Sequence, residues 1–186
     1  MPERGEGSPG YRSGAMAILH GWRYCPRCAH DLDVGPGRVS CPACGFVGWA
    51  NSAPCACALV EDEAGKLLLG RRAIDPYRGY WDTPGGYLEE HEHPLDALRR
   101  ELLEETGLEI EPIAFLGVWM DWYGDDPGAA STLNMFWRAR FVRGEPHASD
   151  DMAELAWFAP DELPAADELA FNLLPDVLAA WRKVWE

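Results

Sequence analysis

The sequence lacks any long apolar run. No stretch approaches the roughly 18 consecutive apolar residues that cross a bilayer as a helix, which excludes an integral helical membrane protein. It also lacks the pattern of an export signal. Residues 1–14 are rich in Gly, Ser, Pro and charge, and the apolar piece Ala15–Leu19 is too short for a signal core, so a cytoplasmic protein is expected. Basic side chains are scarce, 16 Lys and Arg against 31 Asp and Glu, for a formal charge of −15. A phosphate backbone calls for Lys and Arg, so nucleic acid is not an expected partner. Repeats are absent. Apolar residues are plentiful: 47% of the chain is hydrophobic and 11% aromatic, which excludes a disordered chain. A length of 186 residues accommodates one full domain and a small appendage. The acid excess leaves one further option, carboxylates gathered to hold cations.

The charge is unevenly placed. Residues 1–50 hold five basic and four acidic side chains, whereas residues 51–186 hold 11 basic and 27 acidic ones. Four of the six cysteines form two pairs, Cys25-Pro-Arg-Cys28 and Cys41-Pro-Ala-Cys44, with twelve residues between them. Two such knuckles supply four thiolates for one tetrahedral zinc, the layout of a zinc ribbon. Pro after the first Cys of each pair and Gly45 after Cys44 suit the tight turns, and Arg23 and Arg27 bring positive charge near the thiolates. A turn and a short strand at residues 38–40 are expected between the knuckles. Two disulfides or four incidental thiols are the competing readings; disulfides would need an oxidising compartment. With four Cys ligands and no open position, such a zinc would be structural, supplying folding energy that so small a module cannot draw from a core. Three parts are expected: a flexible tail over 1–20, the ribbon over 21–50, and a larger domain over 51–186. Cys55 and Cys57 alternate in a strand-like run and read as small buried side chains, with a reactive or metal-binding role as the alternative.

Beyond residue 53 the pattern becomes mixed α and β. Residues 53–60 read as a strand with a hairpin partner over 66–72, followed by a loop over 73–79. Pro84-Gly85-Gly86 demands a special backbone path. A helix over 94–106 is punctuated by Pro94 in its first turn and Gly107 as a left-handed cap. Strands are expected over 113–123, over 133–142 and around Trp157, and a closing amphipathic helix over 175–185.

The helix at 94–106 carries the strongest signal. Leu95, Leu98 and Leu102 form its buried stripe. Glu101, Glu104 and Glu105 fall on a neighbouring arc, where Glu101 and Glu105 are an i, i+4 like-charge pair that costs a few tenths of about a kcal/mol. All three lie in the last turns, where the helix dipole disfavours anions. A divalent cation reverses that balance, and Mg²⁺ usually accompanies a phosphate substrate. A solvated acidic face is the competing reading of the helix alone.

The flanking residues decide between them. Gly86, five residues, Glu92, seven residues, then Arg100-Glu101-Leu102-Leu103-Glu104-Glu105-Thr106-Gly107-Leu108 matches every fixed position of the Nudix box. The chain resembles the Nudix hydrolases over about residues 53–186 and, with the ribbon, the zinc-ribbon Nudix pyrophosphatases over about 22–186. This resemblance implies an α/β fold, a mixed sheet sandwiched between helices. It implies an enzyme that uses Mg²⁺ or Mn²⁺ to cut the pyrophosphate of a nucleoside diphosphate linked to another group. Carried over, Glu101, Glu104 and Glu105 would bind the metal, with a main-chain carbonyl of Gly85 or Gly86 as a further ligand. Arg100 would orient a box glutamate, and Glu92 would support the cluster or bind an outer metal. The general base stays open among Glu101, Asp126, Asp151 and Glu154.

Several other residues carry weaker expectations. His91 departs from many boxes, which have Gly there; His91 and His93 read as exposed loop histidines unless they touch metal or substrate. Trp81, Trp119, Trp122 and Tyr123 could stack on an adenine or flavin ring, although core packing is the commoner fate of such residues. Trp181 and Trp185 read as core or dimer surface, and relatives of this kind often pair as homodimers. Arg71 and Arg72, or Arg138 and Arg140, could neutralise substrate phosphates. The segment Gly117-Val-Trp-Met-Asp-Trp-Tyr123 lacks the Ser-Gln-Pro-Trp-Pro-Phe-Pro-like motif of NADH-type relatives. ADP-ribose, FAD or a similar conjugate is therefore the expected substrate, with NAD(H), NAD-capped RNA or a nucleoside triphosphate as alternatives. A non-catalytic nucleotide sensor with a partner-binding ribbon is the alternative of another class; such a protein can lose box glutamates, and none is lost here.

Overall fold

The computed structural model describes residues 17–19, 21–125 and 129–183. The tail expected over 1–20 lies outside this set except for a single 3-10 turn, Ala17–Leu19. Asp126 and Trp185 also lie outside it.

The cysteine-rich segment forms a three-stranded antiparallel sheet of β1 (Asp33–Gly35), β2 (Arg38–Ser40) and β3 (Val47–Trp49). Only β2 was legible beforehand, because three-residue strands leave no periodicity to read. Val39 is its one fully buried apolar side chain. The four sulfurs converge instead: Cys25 and Cys44 lie 3.5 Å apart, as do Cys28 and Cys41, and ligand atoms of all four fall within 4.8 Å of one another. None is in a disulfide. The cluster fits a zinc ribbon. Arg23 and Arg27 lie over the rings of Tyr24 and Phe46, while the Arg27 backbone N–H donates to the Cys25 sulfur.

The rest is an α/β/α sandwich around a mixed sheet. Its elements are β4 (Ala53–Glu61), β5 (Leu67–Arg72), β6 (Trp81–Asp82), β7 (Gly85–Tyr87), α1 (Pro94–Thr106), β8 (Glu109–Trp122), β9 (Ser131–Arg143), β10 (Met152–Phe158) and α2 (Leu174–Arg182). The sheet runs β10-β5-β4-β9-β8, with β6 on β5 and β7 on β4. Only the β4–β9 pairing is parallel. Strand β4 sorts its side chains between two cores by simple alternation. Cys55, Cys57 and Leu59 face α2 with Leu174, Val177, Leu178 and Trp181. Ala56, Ala58 and Val60 face α1 with Ala97, Leu98 and Leu102.

The expected β4–β5 hairpin opens almost at once. The two strands pair only at Glu61 and Leu67, and β7 takes the place beside Cys55–Cys57. Glycine makes this insertion feasible. Gly85 has φ +139°, and a Cβ there would sit 2.4 Å from the Ala56 carbonyl oxygen.

Helix α1 spans the expected residues. His93 caps it, its Nδ1 accepting from the Leu95 N–H at 3.2 Å, and Gly107 ends it at φ +68°. Helix α2 is locked by Glu61, which is buried. That carboxylate accepts from the Trp181 indole at 2.6 Å and from Arg138 at 2.7 and 2.8 Å, joining α2, β4 and β9. Among the described residues no helix is long and apolar enough to cross a membrane.

Leu102 is fully buried in the core between α1 and the sheet. Leu102→Ala should lower unfolding stability by about 2–5 kcal/mol, read from urea denaturation. A loss well below about 1 kcal/mol would contradict this packing.

Candidate active site

A cavity of about 200 Å³ opens between α1 and the segment leading into α2. Carboxyl groups line one part of it: Glu101 and Glu105 from α1, Asp82 from β6, and Asp150 and Asp151 from the turn before β10. Two contacts bring that turn in. The backbone N–H groups of His147 and Ser149 donate to the carbonyls of Thr106 and Glu105, pinning the β9–β10 connection to the end of α1.

Glu105 is 3% exposed, and its Oε2 accepts from the Gly85 N–H at 2.8 Å. Burial raises its pKa well above the usual carboxylate range, and the neighbouring Asp151 side chain adds to the rise. Asp151 Oδ1 is buried with no hydrogen-bond partner. Glu101 stands against Gly86, where an added Cβ would lie 2.6 Å from the carboxylate. Its pKa is also raised by burial, against the pull of Arg100. Asp82 is 7% exposed and is pushed up to about 6 by burial, partly offset by Arg72, whose NH1 donates to it at 3.0 Å.

Arg100 organises the outer side of the site. It donates to Glu92 at 2.9 and 2.8 Å, to Glu101 at 2.7 Å, to Glu104 at 3.3 Å and to the Tyr87 carbonyl at 3.2 Å. Those bonds hold Glu92 down at about 2. Of the three box glutamates, then, the structure brings Glu101 and Glu105 into the cavity and leaves Glu104 on the rim, its side chain 52% exposed beside Arg100. Gly85 and Gly86 line the cavity, whereas Glu92 and Arg100 stand behind it.

The remaining candidates separate clearly. Asp151 reaches the cavity, whereas Glu154 is not part of its lining and lies in an exposed ion pair with Arg71 at 3.0 Å. Trp81 is buried edge-on to Phe158, and Trp119 meets Phe136 in the same way. Tyr123 lines the cavity instead. Arg72 lines it as well, with Nε on the Pro76 carbonyl and NH2 on the Tyr123 hydroxyl. Arg138 and Arg140 pair with Glu61 and Glu111. His91 is exposed and His93 is the helix cap. Cys55 and Cys57 are buried on the cavity floor. Burial, helped by Glu101 and Asp82, lifts the Cys55 thiol to about 12, which removes it as a nucleophile at neutral pH. Sequence reasoning missed Asp82, Asn134 and Phe171, all of which line the cavity. They come from three separate segments, and no local pattern marks them as site residues.

Buried acceptor oxygens are thus gathered in this cavity, and one of them, Asp151 Oδ1, has no partner. The NUDIX domain profile matches residues 51–177. The chain belongs to the Nudix family. It is 32% identical over 113 residues to the ADP-ribose pyrophosphatase of Methanocaldococcus jannaschii, covering 61% of this chain and 64% of that one. It is 28% identical over 163 residues to human mitochondrial NAD(P)H pyrophosphatase NUDT13, covering 83% of this chain and 44% of the human one. It is 27% identical over 159 residues to the NAD-capped RNA hydrolase NudC of Stutzerimonas stutzeri, covering 84% and 55%. The chain thus spans between two fifths and two thirds of these relatives' own lengths. A Nudix hydrolase structure from Nitrosomonas europaea superposes with a TM-score of 0.70 at 28% identity, covering 84% of this chain and 88% of that one. Nudix enzymes generally use a divalent metal.

A divalent ion held by these buried carboxyls would bind in a pH-dependent way. Unfolded, such groups titrate near about 4. Folded and metal-free, Asp82 titrates at about 6, and Glu101 and Glu105 are also raised. The stability that Asp82 contributes is therefore full below about pH 4 and is lost as pH rises through about 6, and Glu101 and Glu105 act in the same direction. Glu92, lowered to about 2, acts oppositely but outside this window. A divalent ion competes with the bound protons, so Mg²⁺ should raise Tm more at about pH 8 than at about pH 5. Scanning calorimetry with and without Mg²⁺ checks this; an equal shift at both pH values would contradict the cluster's role.

Proposed function

We propose that this chain hydrolyses the pyrophosphate of a nucleoside diphosphate joined to another group, with ADP-ribose, FAD or a similar conjugate as substrate. The observation that carries the reading is the buried carboxyl cluster, built on the glycine turn and the end of α1, with Asp151 Oδ1 unpartnered. Glu101 and Glu105 would hold Mg²⁺ or Mn²⁺, with Glu104 closing from the rim and a carbonyl of Gly85 or Gly86 nearby. When bound, the ion supplies neutralisation of the diphosphate charge and a lowered pKa for an attacking water.

The chain's own groups do the rest. The Gly85 N–H fixes Glu105, and Arg100 fixes Glu101 while Glu92 fixes Arg100. Asp151, wedged beside Glu105 with a free acceptor oxygen, takes the proton of the attacking water. Glu154, exposed and outside the cavity lining, is not placed for this role. Zn²⁺ at Cys25, Cys28, Cys41 and Cys44 completes the ribbon as a structural ion, with the four sulfurs occupying all its positions.

A second reading has its own support: the matches to NUDT13 and NudC extend over more than four fifths of the chain, farther than the match to the ADP-ribose enzyme. Cleavage of NAD(H) or of an NAD cap is the corresponding substrate.

Purified protein in Mg²⁺, given ADP-ribose, FAD, NADH and nucleoside triphosphates, should release AMP from at least one ADP conjugate, with products separated by chromatography. Glu105→Gln should lose at least about 10²-fold in kcat. Near-normal turnover of that variant would remove the metal assignment. Elemental analysis should find about one zinc per chain, absent when Cys25→Ser and Cys28→Ser are combined; zinc retained by the double variant would refute the ribbon ligands.

A further inference from the structure

Beside its carboxyls the cavity has neutral lining of a different chemistry. Thr132, Asn134 and Phe136 project from one face of β9, and Asn134 and Phe136 stand opposite Cys55 and Cys57 on β4. Phe136, 1% exposed, and the buried Leu174 supply apolar lining, and the Arg72 guanidinium lies over the Tyr123 and Phe171 rings at 5.7 and 5.1 Å. Tyr123 and Phe171 form an aromatic wall, their rings 5.8 Å apart and tilted by 30°. That gap is narrower than the roughly 7 Å needed to admit a third ring between them at two stacking distances of about 3.5 Å. A planar ligand can lie against this wall but cannot enter it.

Asn134 is 8% exposed, and its hydrogen bonds fix which way its amide points. The Thr132 hydroxyl donates to the Asp121 carbonyl at 3.3 Å, so toward Asn134 its oxygen can only accept. The Asn134 Nδ2 donates to that oxygen at 2.8 Å and to the Trp119 carbonyl at 3.3 Å. Both amide hydrogens are thereby used. Rotating the amide by half a turn would set its carbonyl against the Trp119 carbonyl, oxygen against oxygen. What Asn134 retains is an acceptor, Oδ1, for which the described residues supply no donor. An acceptor on the cavity lining with no protein donor is open to a donor from a ligand.

We propose that Asn134 is a specificity-determining residue: its Oδ1 accepts a hydrogen bond from an exocyclic NH₂ on the planar heterocycle of the substrate, which lies between the floor at Cys55 and Phe136 and the wall at Tyr123 and Phe171. The site favours a ring bearing an amino or carboxamide nitrogen and disfavours the same ring with oxygen there, because two acceptors would then face each other without a proton. Adenine and the carboxamide of nicotinamide share this chemistry. The assignment takes its substrate class from the hydrolase reading, but ligand binding tests it independently of turnover.

The experiment measures binding of mononucleotides, which contain no diphosphate to cleave, to the full chain in Mg²⁺ by calorimetry. AMP is compared with IMP, and nicotinamide mononucleotide with nicotinate mononucleotide; each pair differs at the exocyclic group. At least one pair should show about ten-fold preference for the NH₂-bearing member, and the pair that does so names the ring. Asn134→Leu, of similar volume, should bring that ratio close to one. Thr132→Val serves if the first variant does not fold. It removes the acceptor that fixes the amide, so the ratio should fall while the preferred ligand still binds. Ratios near one for both pairs in the parent chain would overturn the proposal, as would a preference unchanged in either variant. Hydrolysis without ring preference would overturn only this assignment, whereas ring preference without hydrolysis would overturn only the enzyme reading.

Discussion

The hydrogen bond from the Gly85 N–H to Glu105 joins the two halves of the site. It requires that a backbone turn reach the last turn of α1, which requires in turn that β7 lie directly on β4. Any side chain at Gly85 would strike the Ala56 carbonyl, and any at Gly86 would strike the Glu101 carboxylate. These two approaches explain why the β4–β5 hairpin splays after one residue pair and why β4 alternates small residues, Ala56 and Ala58, toward the helix. The sheet, the helix and the turn are fitted to one another through contacts that only glycine permits.

Around that junction the protein holds more negative charge than its own cations neutralise. Arg100 answers Glu92, Glu101 and Glu104 from outside, and Arg72 answers Asp82 from the opposite side. Glu105 and Asp151 are left facing each other, and burial together with the Asp151 side chain raises the Glu105 pKa well above the usual carboxylate range. A structure selected only for stability would replace such a pair with apolar groups. Its presence in a cavity that is also lined by thiols, a phenyl ring and the aromatic pair Tyr123 and Phe171 sets ionic and ring-like lining side by side. The combination matches what a nucleotide conjugate presents: charged phosphates joined to flat, weakly polar heterocycles.

Much of this was legible in the sequence. The limits of α1 follow from Pro94 and Gly107, whose local preferences no tertiary contact opposes. The strand runs at 53–60 and 133–142 were readable because β4 and the inner part of β9 are buried. Glu101 and Glu105 were identifiable because their spacing is unfavourable without a ligand. Glu104 has the same spacing argument, yet the structure leaves it on the rim, since its angular position on the helix points toward Arg100 and solvent. Phe171, Asn134 and Asp82 could not be placed in the site from spacing. They come from three distant segments, and only the closing of the sheet and the anchoring of Leu173 N–H on Asp121 bring them together.

The sequence by itself determined what depends on neighbours along the chain: the paired Cys knuckles, the capped helix, the glycine turn and the box of acids. These are set by turn geometry, helix periodicity and charge spacing, which act over a few residues. Tertiary structure alone decided which acids are buried, which arginine serves which carboxylate, and which way the Asn134 amide points. Those outcomes rest on desolvation and on donors supplied from far along the chain, so no local pattern could encode them.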